Sequence, residues 1–180
     1  GFKHYMEKEI YEQPSVLSGT LEAYISRDNI INLPLAGIAD DFDFKTVKRV
    51  TMVACGTAYF ACLTAKYWFE KLARIPVEID IASEFRYREP PLPNGTLAIF
   101  VSQSGETADT LAALRYCIDK ANDIWSVTNV EESSIARAAD VNFPIYAGVE
   151  VGVASTKAFT CQLTVLLCIA LAAAEARKEL

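Results

Sequence analysis

Continuous apolar runs without alternation recur along this chain, and between them the apolar spacing changes to that of a helix. Val50–Ala54 reads VTMVA and Leu97–Val101 reads LAIFV. A strand with no polar face has to be buried on both sides, which is the signature of a parallel sheet covered by helices. Val77–Ala82, Ile124–Thr128 and Val141–Ile145 continue the series. Helical patterns at Thr57–Ala73, Ser83–Tyr87, Glu106–Ala121 and Ser133–Ala138 separate these runs, and a loop at Tyr146–Ala154 leads into a last helix over roughly Ser155–Glu175. Strand–helix alternation repeated five times predicts an α/β fold, a doubly wound parallel five-stranded sheet with helices on both faces. Ligands of such sheets bind beyond the carboxyl ends of the strands, near the switch in strand order.

The opening of the chain reads differently. His4–Gln13 has helical spacing and should stop at Pro14, with a second helix over Ser15–Ser26 that places Val16, Leu17, Leu21 and Ile25 on one face. Asp28–Lys48 reads as a loop, with Pro34, Gly37 and an acidic stretch at Asp40–Asp43. Residues 1–48 are therefore expected to be a helical segment and linker, and 49–180 the core domain. The chain starts without Met and stops inside a helical pattern, so an excised piece of a longer protein is expected.

Composition removes several functions. At 180 residues and 52% hydrophobic, there is enough apolar material for one well-buried domain and too much for a disordered chain. The net charge of −6, with no run of Lys or Arg, speaks against nucleic acid as a partner. A single histidine, His4, excludes a His-rich metal site within one chain. Cys55, Cys62, Cys117, Cys161 and Cys168 are odd in number and lack CxxC spacing, so buried thiols of a reducing compartment are expected. The first residues do not form a signal peptide, and the longest apolar run, Val165–Ala174, is too short for a bilayer. A cytoplasmic protein without membrane contact, metal or cofactor is expected.

Three small polar stretches stand at strand ends. Ser102-Gln103-Ser104-Gly105-Glu106-Thr107 puts hydroxyls, an amide and a glycine between a strand and a helix. Unpaired amides at a helix start, with hydroxyls beside them, make a cradle for a phosphate. The alternative is a plain cap by Ser104 or another hydroxyl, with Glu106 as first-turn acid. No Walker lysine and no GxGxxG occurs, so a monophosphate on a small molecule fits better than a nucleotide. Cys55-Gly56-Thr57 follows the first strand; Gly56 permits close backbone approach, and Thr57 can cap the helix or face a ligand. No histidine after His4 could activate Cys55, so a buried, chemically inert thiol is expected there. Gly152-Val153-Ala154-Ser155-Thr156-Lys157 opens the last helix, with Lys157 read as solvated. Glu84 and Arg86 could be a functional carboxylate and an anion clamp, but an internal ion pair or a subunit contact is the preferred reading. The stretch Leu163–Ala174 is apolar nearly all round, and with the aromatic face near Trp68 it suggests a homodimer.

CGTAYFA, VSQSGETADT and GVASTKAFT, in this order, resemble the sugar isomerase (SIS) domain. ASEFRYR and the leading HYMEKEIYEQP narrow the resemblance to the first SIS subdomain of the glutamine–fructose-6-phosphate aminotransferases. The resemblance implies a flavodoxin-like fold and a part in making glucosamine 6-phosphate from fructose 6-phosphate and glutamine-derived ammonia. It implies that Ser102, Gln103, Ser104 and Thr107 hold the phosphate. Thr57 would line the sugar site, with the Val153 backbone and Ser155 contacting sugar hydroxyls. The family's residues for ammonia release and proton transfer match nothing in this chain, so the segment should hold half of a site, with fructose 6-phosphate or glucosamine 6-phosphate as ligand, and be inactive alone. Ala58 stands where the family usually has Ser. A sugar-phosphate sensor of a regulator and another SIS isomerase or deglycase are the alternatives.

Overall fold

The computed structural model describes residues 1–33 and 42–180. Pro34, Gly37, Asp40 and Asp41 of the expected loop lie outside the described residues. The strands are β1 (Arg49–Ala54), β2 (Val77–Ile81), β3 (Thr96–Ser102), β4 (Asp123–Thr128) and β5 (Val141–Pro144). The helices are α1 (Tyr5–Tyr24), α2 (Gly56–Trp68), α3 (Ala82–Arg88), α4 (Ala108–Cys117), α5 (Ser134–Ala138) and α6 (Lys157–Arg177). All four strand pairings are parallel, in the order β2-β1-β3-β4-β5. This is the flavodoxin-like order, and its switch lies between β1 and β3. β3, at the centre, is buried at all seven positions, whereas the edge strand β2 exposes Glu78 and Ile81. The apolar runs therefore report how central each strand is.

Handedness distributes the helices. The crossover from β1 to β2 runs one way along the sheet, and every later crossover runs the other way. Right-handed connections then put α2 on one face and α3, α4 and α5 on the opposite face. Two hydrophobic clusters follow. The larger, around Met52, Ile99, Trp125 and Ile169, joins α1, α2 and α6 to the sheet, and the smaller, around Val53, Phe85, Phe100 and Leu114, holds α3, α4 and α5.

The N-terminal helix departs from expectation. It runs unbroken through Pro14. Proline removes the bond that Ile10 carbonyl would receive from residue 14. That carbonyl instead accepts from Gln13 Nε2 at 3.1 Å, and Pro14 faces solvent, so the helix loses little. α1 lies on α6 and on the end of β5: Thr20 Oγ1 donates to Ile145 O and Tyr24 OH to Pro144 O, each at 2.8 Å.

α6 is long and apolar enough to pass for a membrane span, but it is a core helix packed under α1 and α2. Its apolar circumference is thus covered within the chain, and Trp68 is half-buried against the same core. The part of the case for self-association that rested on α6 is thereby removed, while Tyr67, beside Trp68, stays exposed. Thr57–Ala73, expected to be one helix, changes at Phe69 into a π turn that ends at Arg74 in left-handed backbone, φ 56.

Candidate functional site

β1 and β3 stay paired to Ala54 and Val101, and beyond their carboxyl ends the chain leaves toward opposite faces of the sheet. A cleft of about 530 Å³ opens there. Thr57 and Ala58 line it from the start of α2, Ser102, Gln103, Ser104 and Thr107 from the β3–α4 loop, and Val153 and Ser155 from the loop before α6. Three segments up to about a hundred residues apart thus meet at the strand-order switch. A second cleft, about 430 Å³, lies toward the opposite ends of β1 and β2. Its cations are already paired, Arg49 with Glu78, Lys66 with Glu70 and Arg88 with Asp80, so it presents no free charge to an anion.

The β3–α4 loop is built by its own hydroxyls. Ser102 Oγ accepts from Gly105 N at 3.1 Å and lies 3.0 Å from Thr107 Oγ1, and Ser104 Oγ accepts from Glu106 N at 3.2 Å. Thr107 is the N-cap residue of α4, yet its side chain makes no cap hydrogen bond. Among the described residues no side chain claims the first amides of α4, which stand at the positive end of the helix dipole. Simple capping by Ser104 does not occur. Both nearby acids are turned away from the cleft. Asp109 pairs with Arg86 at 2.7 Å, and Glu106 accepts from Ser134 N at 2.7 Å. Glu106 is thus the acid at the start of α5, not of its own helix, and the Ser134 amide holds its carboxyl below the usual value. Arg86 finds its partner in Asp109, while Glu84 is exposed with no ion pair among the described residues.

Gly56 takes φ +59, and nothing lies within 4 Å of where a Cβ would stand. The left-handed backbone there favours glycine, and the space beside it belongs to the cleft. Cys55 is half-buried and lines the cleft, so the expectation of a fully buried thiol fails at this position. It sits at the open C-terminal end of β1, where the sheet no longer covers it. The other four thiols are buried, and burial pushes Cys117 up to about 12 and Cys168 up to about 11.

The third wall is held by acids that sequence reasoning did not single out. Glu150 accepts from Thr156 N and Ala158 N at 2.9 and 3.1 Å, and from the hydroxyls of Ser155 and Thr156 at 3.1 Å each, which caps α6 from outside. Glu9, 2% exposed, accepts from Val151 N at 2.6 Å and from Gly152 N at 3.1 Å. Lys157 is not solvated. It is 4% exposed and donates to Glu12 at 2.8 Å, and that bond lowers the Glu12 carboxyl below its usual value. The Val153 side chain stands fully in solvent, which leaves its backbone open to the cleft. Replacing Glu9 by Ala should free this wall. Charge-assisted bonds of this kind are each worth about 1.5–3 kcal/mol, and amide protection of Val151 and Gly152 in hydrogen exchange should fall at least tenfold. Unchanged protection would show that the loop holds itself.

The sequence profile of the SIS domain matches residues 43–172, well over half of the chain. The chain belongs to the SIS domain family. It is 57% identical over 175 residues to glutamine–fructose-6-phosphate aminotransferase [isomerizing] of Rhizobium meliloti (strain 1021), covering 97% of this chain and 28% of that protein. Against the enzyme of the same name from Bradyrhizobium diazoefficiens, identity is 55% over 180 residues, covering 99% and 29%. Among solved structures, the C-terminal domain of glucosamine-fructose-6-phosphate aminotransferase from Francisella tularensis superposes with a TM-score of 0.91 at 45% identity, over all of this chain and 50% of that one. Glucosamine-6-phosphate deaminase from Thermotoga maritima gives 0.73 at 25% identity, over 93% and 48%. This SIS domain thus spans under a third of the length of these two curated relatives and about half of these two solved chains.

Proposed function

We propose that this SIS domain is the sugar-phosphate-binding half of the isomerase region of a glutamine–fructose-6-phosphate aminotransferase. The observation that carries this reading is the meeting of Thr57, Ser102, Gln103, Ser104, Thr107, Val153 and Ser155 in one cleft at the β1/β3 switch. High identity along nearly the whole chain to enzymes of that name supports the choice over a sensor or another SIS isomerase. In this reading the phosphate of fructose 6-phosphate lies on the hydroxyls of Ser102, Ser104 and Thr107 and on the free amides of α4. Gln103 closes over it, and the sugar hydroxyls meet Thr57, Ser155 and the Val153 backbone. Ala58 lines the same wall and offers the ligand no hydroxyl.

Glu150 is the one carboxylate lining the cleft among the described residues, and it is committed to α6. Aldose–ketose isomerisation needs a paired acid and base. The 180 residues are therefore expected to bind without turnover. Calorimetric titration with fructose 6-phosphate and with fructose tests the reading: the first should bind and the second should not, and equal heats from both would overturn it. The reading carries with it a cytoplasmic location, where five free thiols stay reduced.

The homodimer is retained as part of this proposal, on a different surface from α6. Phe60, Leu63 and Tyr67 stand exposed along one side of α2, and symmetric pairing is the commonest way to bury such a stripe. Sedimentation velocity at micromolar concentration should show a reversible dimer that Tyr67→Lys abolishes. A single species at 19.8 kDa at every concentration would refute it.

A further inference from the structure

The loop that precedes α6 is held by side chains at three places. Asn129 Oδ1 accepts from Ala147 N at 3.0 Å, and Asn129 Nδ2 donates to Gly148 O at 2.7 Å. Glu9 accepts from Val151 N and, with both carboxylate oxygens at 3.1 Å, from Gly152 N. Glu150 holds Ser155, Thr156 and Ala158. Between the last two holds stand Val153 and Ala154, both exposed, which make no backbone hydrogen bond among the described residues. A short open segment thus lies between two carboxylate clamps, in the wall of the cleft. Glu9 is the clamp that stability explains least. A carboxylate is costly to bury, yet Glu9 is buried, and no cation pairs with it among the described residues. The amides it serves belong to a surface loop whose Val149 and Val151 are exposed, a place that water can hydrate. The loop is shaped to receive it. A Cβ at Gly152 would stand 2.6 Å from Glu9 Oε2, while its next neighbours, Ala154 O and Met6 Cα, are 3.6 Å away.

We infer that Glu9 is a positioning residue for the sugar: from α1 it fixes the backbone of Val151 and Gly152, so that Val153–Ser155 keep the shape that receives the organic part of the ligand. The inference rests on the proposed sugar-phosphate site and deepens it. Glu9 touches no ligand in this role and acts through the loop. A wall ordered in advance leaves less to be ordered on binding. With the clamp gone the loop samples other shapes, and apparent affinity falls with the fraction that remains competent. The β3–α4 loop does not share this dependence. Its hydroxyls are tied to one another and to its own amides, and Glu106 ties it to α5, not to α1. Glu9 thus serves the sugar and not the phosphate.

The test compares two probes, fructose 6-phosphate and inorganic phosphate, by NMR titration, which reaches weak affinities. The proteins are the wild-type chain, Glu9→Ala, Glu9→Gln and Gly152→Ala. Gly152→Ala attacks the same contact from the loop, and its methyl group meets Glu9 and α1. Glu9→Ala and Gly152→Ala should each weaken fructose 6-phosphate binding at least tenfold, about 1.4 kcal/mol, while affinity for inorganic phosphate stays within about twofold. Glu9→Gln keeps an acceptor oxygen for the two amides and should recover most of that loss. Unchanged fructose 6-phosphate affinity in folded Glu9→Ala, or in Gly152→Ala where Glu9→Ala does not fold, would overturn the role of Glu9 alone. Equal losses for the two probes would make Glu9 a structural residue and overturn the role as well. If the wild-type chain binds no fructose 6-phosphate, the sugar-phosphate site itself falls, and the role of Glu9 with it.

Discussion

Replacing Gly105 by Ala should destabilise the domain by about 3 kcal/mol, a large part of a typical folding free energy. Gly105 lies between the two halves of the β3–α4 loop at φ +67. A residue with a side chain is strained in that backbone region. A Cβ there would also meet Ser133 Oγ at 1.9 Å and Ser133 Cβ at 2.4 Å. Ser133 cannot simply turn aside, because it is buried and its hydroxyl accepts from Ala136 N as the cap of α5. Moving it costs about another 1 kcal/mol of capping. The Gly105 carbonyl meanwhile accepts from Ile135 N at 2.9 Å, so the loop cannot lift away without breaking that contact. Urea denaturation of wild type and variant reads the difference directly. A loss below about 1 kcal/mol would mean that the loop relaxes in a way this packing does not allow.

Ser104→Ala combined with Thr107→Val should weaken fructose 6-phosphate binding about a hundredfold and the fold far less. Hydrogen bonds from hydroxyls to an anion are each worth about 1.5–3 kcal/mol, and each 1.4 kcal/mol is about tenfold in affinity. The cost to the unliganded domain is smaller. Ser104 is exposed and gives up one solvent-accessible bond from Glu106 N. Thr107 gives up its 3.0 Å contact with Ser102, and Ser102 keeps its bond from Gly105 N. Since Thr107 caps α4 without using its side chain, Val does not uncap the helix. Calorimetry beside a thermal melt separates the two effects. An unchanged dissociation constant in a normally folded variant would remove these hydroxyls from the phosphate site.

Much of this protein is written locally. Runs such as VTMVA and LAIFV announce strands buried on both faces, and the sheet places both of them centrally. The small polar residues after them mark where the chain turns from strand to helix, and in a doubly wound sheet those turns share one end. The three stretches that lie far apart in sequence were therefore legible as one region before any contact was known. Burial periodicity is a one-dimensional property, and five elements obey it with boundaries shifted by a residue or two.

What the tertiary structure alone decided are pairings between distant residues, which leave no period behind. Glu9 and Val151 are 142 positions apart, and nothing in EKEIYEQ shows that one glutamate is buried beneath a loop while its neighbours are in water. Lys157 looks solvated by type and is not, because Glu12 arrives from a helix 145 positions away. Glu106 looks like the first-turn acid of α4, but α5 presents a closer amide at Ser134. α6 looks like a surface in search of a partner because its apolar faces are visible in sequence, while α1 and α2, which cover them, are not visibly its neighbours. A charge or an amide is cheap in water and costly without a partner inside, so its role is set by what the fold brings to it from elsewhere in the chain.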